Sequence, residues 1–116
     1  MTFTVLVTGG RSYMERARVC GQLDMLEADH PDIFVIEGGA TGADQWARFW
    51  RSDRQRPGRT FRAQWHIHGK KAGFIRNGEM LAEGRPDLVL AFPGGRGTAD
   101  MVAQAEKAGV PVKVIV

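Results

Sequence analysis

Apolar positions fall in five short runs, separated by longer stretches of mixed polarity. The runs cover residues 3–8, 33–37, 61–66, 87–92 and 112–116, and the third carries the weakest apolar signal. Continuous runs of this length mark strands buried on both faces of a parallel sheet. The intervening stretches, near 13–29, 43–53, 70–84 and 98–108, read as helices. Strict alternation of strand and helix predicts an α/β fold. The expected architecture is a single Rossmann-like three-layer domain over residues 1–116 with a mainly parallel five-stranded sheet. Its strand order should be 3-2-1-4-5, with right-handed crossovers.

Local signals refine the boundaries. Ser12 with Glu15, and Thr41 with Asp44, have capping-box spacing before the first and second helices. Gln55-Arg56-Pro57-Gly58-Arg59 reads as the turn into the third strand. Trp46, Phe49 and Trp50 share one face of the second helix, where core packing is the expected role. A base-stacking platform or a homodimer face is the alternative use of those rings. His30 before Pro31 reads as a loop residue. His66 and His68 would point to opposite faces of a continued strand and so make no metal pair.

The chain has 116 residues, 43% of them hydrophobic and 25% charged, which suits one globular core and too little chain for two. No apolar run is long enough for a membrane span. Met1 to Val7 lacks a basic region or cleavage-like site and reads as a strand, not a signal peptide. A single cysteine, Cys20, precludes an internal disulfide and a cysteine-based metal site, so no metal is expected and a reducing, cytoplasmic setting fits.

The net charge of +3 is unevenly spread. Between Arg48 and Lys71 eight basic residues face one acid, Asp53, a local +7 that leaves −4 for the remainder. Such a patch either attracts phosphates or is a solvated arginine-rich surface.

Three strand ends open into glycine-rich loops: Thr8-Gly9-Gly10-Arg11, Gly38-Gly39-Ala40-Thr41-Gly42-Ala43-Asp44 and Pro93-Gly94-Gly95-Arg96-Gly97-Thr98-Ala99-Asp100. In a doubly wound sheet all three lie at the carboxyl edge, where ligands bind beside the reversal of strand order. Free N–H groups and the helix dipole there favour a phosphate. Tight turns and close helix packing are the alternative use of the glycines, weighing most for Gly9 and Gly10. No loop has the G-x-G-x-x-G or G-K-[ST] pattern, which argues against an NAD dehydrogenase or a P-loop ATPase.

Between the second and third loops, Gly73 and Gly78 interrupt a helical pattern at about 1 kcal/mol each, so close approach of a loop, helix or ligand is expected there. Arg76 shares a face with Ala72 and Met80, aiming its guanidinium either at a phosphate or at Glu79 three residues on.

Taken together, Gly38–Asp44 and the P-G-G-x-G-T of Pro93–Thr98 resemble the SLOG superfamily, which includes the Lonely Guy phosphoribohydrolases and the DprA-type DNA-processing proteins. His68-Gly69 and Arg76-Asn77 between them are most similar to the small YspA, cpYpsA-related branch found in phages and bacteria. The resemblance places Arg76 where Lonely Guy enzymes use an arginine with a glutamate to cleave base from ribose phosphate. The glutamate position, three residues beyond Thr98, is Met101 here, leaving Asp100 or Asp44 to supply a carboxylate. Capping of a helix start is the other use of those two acids.

The expected site has Arg76, Asp100 and Asp44 as its reactive groups. Ligand contacts are expected from Gly9, Gly10, Arg11, Gly38, Gly39, Thr41, Gly42 and Asn77, and from Pro93, Gly94, Gly95, Arg96, Gly97 and Thr98. The leading function is binding of a phosphorylated nucleoside, of nucleotide or ADP-ribose type, with no required cofactor. The alternatives are a nucleotide N-glycosidase of Lonely Guy type and nucleic-acid binding through Arg48–Lys71. The resemblance also implies a homodimer.

Overall fold

In the computed structural model, which describes residues 1–116, Phe3–Thr8 forms the central strand β1. Ile33–Glu37 (β2) and Gly58–Thr60 (β3) lie to one side, Leu88–Ala91 (β4) and Val112–Val114 (β5) to the other. The order is β3-β2-β1-β4-β5 and every pairing is parallel, Val5 facing both Val35 and Leu88. This is the α/β Rossmann-like sheet the chain predicts, with strand order reversing between β1 and β4.

The helices are Arg16–Asp29 (α1), Ala43–Asp53 (α2), Trp65–His68 (α3), Ala72–Gly84 (α4) and Arg96–Lys107 (α5), with a 3₁₀ turn at Gly69–Lys71. Alternate strand residues serve opposite layers, as the strand period requires. Val5, Val7, Val35, Leu90 and Phe92 pack with α1 and α2, burying Val19, Leu23, Ala47 and Trp50. Leu6, Ile36 and Val89 pack with α4 and α5, burying Met80, Met101 and Ala105.

Three expectations need correction. The third strand lies at 58–60 and not 61–66, and the chain from Trp65 to His68 is helical with both histidines exposed. The reason is Glu37, a fully buried acid at the end of β2. Its carboxylate accepts from the Gly39 amide, the Arg48 and Arg51 guanidiniums and the Thr60 hydroxyl, which fixes Thr60 beside β2. Ser12 caps nothing: α1 starts at Arg16 after Glu15, without a side-chain cap. Before α2 the cap residue is Gly42, while the Thr41 hydroxyl donates to the Arg11 carbonyl.

Among the aromatic residues, Trp50 is core and its indole N–H donates to Asp24; Trp46 packs at the core edge and donates to the Tyr13 carbonyl. Phe49 is exposed at 40%, so the face is mainly internal packing. His30 closes α1 and stacks on Phe3 with ring centroids 3.6 Å apart.

Candidate functional site

Parallel strands deliver their following loops to one edge, and here three loops are tied together there. The Gly10 N–H donates to the Pro93 carbonyl at 2.9 Å, while the Gly10 carbonyl accepts from Tyr13 and Ala43. A Cβ on Gly9 would meet Ala43 and Phe92, and one on Gly10 would meet Pro93. These two glycines let the first loop pass between its neighbours.

The second loop is closed on itself. Gly42 has φ +72°, and a Cβ there would overlap the Gly10 carbonyl. Asp44, 5% exposed, folds back so that Oδ2 accepts from the amides of Gly38 at 3.1 Å and Ala40 at 3.3 Å. Oδ1 accepts nothing from the chain. Burial pushes the Asp44 carboxyl up to about 6, reinforced by nearby Glu37 and opposed by the two amides and by Arg76.

Arg76 spans the gap between this loop and α4. Its Nη1 donates to the Gly38 carbonyl and Nε to Asn77 Oδ1, whereas Nη2 has no acceptor in the chain. Glu79 is not its hydrogen-bond partner. Burial lowers the Arg76 pKa, with Asp44 acting in the opposite sense. Asn77 is fully engaged, its amide donating to the Gly97 carbonyl at 3.1 Å and to Asp100 at 3.0 Å. It therefore anchors the first turn of α5 to α4.

The third loop stays open. α5 begins after Gly95 without a side-chain cap, and its first internal bond is Ala99 N–H to the Gly95 carbonyl. The amides of Arg96, Gly97 and Thr98 have no acceptor in the chain, nor does the Thr98 hydroxyl. A Cβ added at Gly95 or Gly97 would meet no atom within 4 Å.

Beside this open helix start lies a cavity of about 340 Å³. Of the predicted residues it gathers Gly9, Gly10, Arg11, Asp44, Arg76, Asn77, Gly95, Arg96, Gly97 and Thr98. Gly38, Gly39 and Thr41 line an adjoining cavity of about 370 Å³ that shares Arg11, Ala40, Trp65 and Arg76 with the first. Gly42, Pro93, Gly94 and Asp100 line neither. Asp100 instead accepts from Asn77 and Gln104. Met101, at the position of the Lonely Guy glutamate, is buried in the core and faces no cavity.

Sequence reasoning missed Trp65, Lys70, Phe74 and Arg62 as lining residues. The signal was a tryptophan set among basic residues, obscured by assigning 61–66 to a strand. Around the first cavity Arg11, Lys70, Arg76 and Arg96 face one carboxylate, Asp44, so the site suits an anion. No group of three or more His, Cys, Asp or Glu residues could hold a metal ion.

Most of the Arg48–Lys71 patch is engaged elsewhere. Arg48 and Arg51 pair with Glu37, Arg54 with Asp24 and Glu27, Arg56 with Glu27, and Arg59 with Glu83. Arg62, Lys70 and Lys71 are left without an acidic partner, and the first two of these line the cavities.

The family model for the YspA, cpYpsA-related SLOG family matches residues 3–68. The Gene 61 protein of Mycobacterium phage D29 is 42% identical, the match covering 93% of this chain and 92% of that protein. Among solved structures, TM1055 superposes with a TM-score of 0.74 at 18% identity over 96% of this chain and 72% of its own. A Moco carrier protein from Chlamydomonas reinhardtii gives 0.67 at 16% identity, covering 99% of this chain and 76% of that one. DNA processing protein A from Streptococcus pneumoniae gives 0.57 at 15% over 97% of this chain and 58% of that one. At such identities the structures establish the shared fold. No helix is long and apolar enough to cross a membrane.

Proposed function

We propose, from the premise that the chain belongs to the YspA, cpYpsA-related SLOG family, that it binds a nucleotide or nucleotide-derived ligand with a phosphate at the start of α5. The observation that carries this reading is the uncapped α5 N-terminus, with three unpartnered amides beside a cationic cavity. Oriented N–H groups and the helix dipole stabilise a phosphate there, and Arg76 Nη2 adds a charge-assisted donor. Trp65, 48% exposed on the cavity rim, offers a face for a base. A homodimer belongs to the same reading, since Ile67 of α3 and Phe74 and Ile75 of α4 are exposed apolar side chains; sedimentation equilibrium reads it.

Thermal unfolding with nucleoside monophosphates, ADP-ribose, NAD and cyclic nucleotides tests the proposal. A ligand at a hundred times its dissociation constant adds about 2.7 kcal/mol, a shift of several degrees in a domain of this size. A selective shift with intact ligand supports a binding protein. Absence of any shift overturns the reading and moves attention to nucleic acid, the secondary partner. Five of the eight basic residues in the Arg48–Lys71 patch are already paired with acids, which weakens that alternative.

A second reading is hydrolysis of the bond between base and ribose, favoured by the free Oδ1 and raised pKa of Asp44. Water adds its oxygen to the anomeric carbon as the base leaves; Asp44 takes the water's proton, and the base departs with a proton from solvent. Arg76 holds the phosphate. Asp100 is the poorer candidate because Asn77 and Gln104 hold it outside the cavity. Free base released by the protein and lost in Asp44→Asn marks turnover; intact ligand after long incubation excludes it.

A further inference from the structure

The second cavity has no role in the reading above. It opens beside the first, and Arg11, Trp65 and Arg76 stand between the two. Its remaining wall is Gly38 to Thr41, Arg62 and Ala63, with no carboxylate among them. Arg62 is exposed and meets only the Gly39 carbonyl, at 3.4 Å, whereas neighbouring Arg59 stacks on Phe61 and pairs with Glu83. Arg11 lies 5.4 Å from the centroid of the Trp65 ring and has no acidic partner, so three guanidiniums line a space of about 370 Å³ of which only Arg76, through Asp44 on the side of the first cavity, feels a carboxylate close by. A mononucleotide phosphate at α5 leaves Arg62 without an anion.

Resting on the nucleotide reading, we propose that the second cavity is an anion subsite and that the full ligand carries two separated phosphate groups. One phosphate sits at the α5 amides and the other beside Arg62 and Arg11, with the nucleoside between them against Trp65. The ligand class is thus a nucleoside phosphorylated at two ends, or a short dinucleotide, and not a simple monophosphate. Arg76 contacts the intervening segment from the wall common to both cavities.

Calorimetric titration tests this in two steps. The four nucleoside 5′-monophosphates are ranked first. The best base is then offered as its 3′,5′-bisphosphate and as a 5′-phosphorylated dinucleotide. One doubly phosphorylated probe should bind at least about tenfold tighter than the monophosphate, the range for one charge-assisted contact. Arg62→Gln should erase that gain while the monophosphate binds as before. Lys71→Gln, an equal loss of charge outside both cavities, should leave the gain in place. If the monophosphate binds and neither larger probe gains, or the gain survives Arg62→Gln, the subsite is wrong and the nucleotide reading stands. An equal loss in Lys71→Gln would reduce the effect to general charge and overturns the subsite too. Absence of binding by every probe overturns both.

Discussion

The second and third glycine-rich loops look alike in composition and differ in what their polar groups do. In Gly38–Asp44 four of the seven amides are taken: Glu37 and Asp44 hold those of Gly38, Gly39 and Ala40, and the Gly10 carbonyl receives Ala43 N–H, while the Thr41 hydroxyl donates to Arg11. In Gly95–Thr98 three consecutive amides and the Thr98 hydroxyl have no acceptor in the chain, and these residues line the first cavity. A loop whose amides are held by its own acids is a brace; a helix start with all three first amides open offers an anion site. The comparison assigns stability to the second loop and affinity to the third.

The largest effect should come from the brace. Gly42→Val places a branched side chain at φ +72° against the Gly10 carbonyl, and neither backbone can yield cheaply. A loss of about 4 kcal/mol is expected in chemical denaturation. Near-normal stability would show that the loop has room its packing denies.

Asp44→Asn follows. The folded carboxyl titrates at about 6 against an ordinary 3.8, so its protonated form is the one folding favours. That stability is fully present below about pH 4 and disappears as pH rises through about 6. The difference of about 2 units corresponds to about 3 kcal/mol. Denaturation midpoints of the wild type, compared with Asp44→Asn between pH 4 and 7, should show this component in the first and not in the second. Parallel profiles would refute the buried, desolvated carboxyl.

Gly95→Asp turns from brace to open loop. It sits at negative φ with no neighbour within 4 Å, so it adds no clash. An aspartate there supplies the missing cap of α5 and occupies the amides from within the chain. Stability should hold or rise by up to about 1 kcal/mol, while ligand affinity falls by about 2 kcal/mol, some thirtyfold. Affinity retained at wild-type level would place the phosphate elsewhere.

How much of this was legible follows the same division. The parallel sheet and its order could be read because β1, β2 and β4 are apolar on both faces, and that pattern has few other uses. The short edge strand β3 could not, since Gly58–Thr60 is held by a buried ion and hydroxyl network centred on Glu37 and not by apolar periodicity. That misplacement hid Arg62 and Trp65 from the site. The glycine loops could be located but not told apart, because whether an amide is free depends on how the side chains of Glu37 and Asp44 fold back on the loop and on the packing of Gly10 against Ala43. The acid ending β2 was the available clue: a charge closing a buried run implies partners converging on it.

The smallest predicted effects divide the two loops most cleanly, at chemically identical residues. The Thr41 hydroxyl donates to the Arg11 carbonyl at 2.9 Å on an exposed surface, so Thr41→Ala should cost about 0.5–1 kcal/mol of stability. Mononucleotide affinity should be unchanged, because Thr41 lies outside the first cavity. The Thr98 hydroxyl has no partner in the chain and lines that cavity, so Thr98→Ala should leave stability within about 0.5 kcal/mol and weaken binding by about 1 kcal/mol, some fivefold. Denaturation and calorimetry on the same two variants read both quantities. A reversed pattern, with Thr98→Ala unstable and Thr41→Ala weak in binding, would exchange the roles of the loops and move the phosphate to the start of α2. That site would set the ligand's charge against Asp44 and require the Gly10 carbonyl to leave the Ala43 amide, two costs the open start of α5 does not impose.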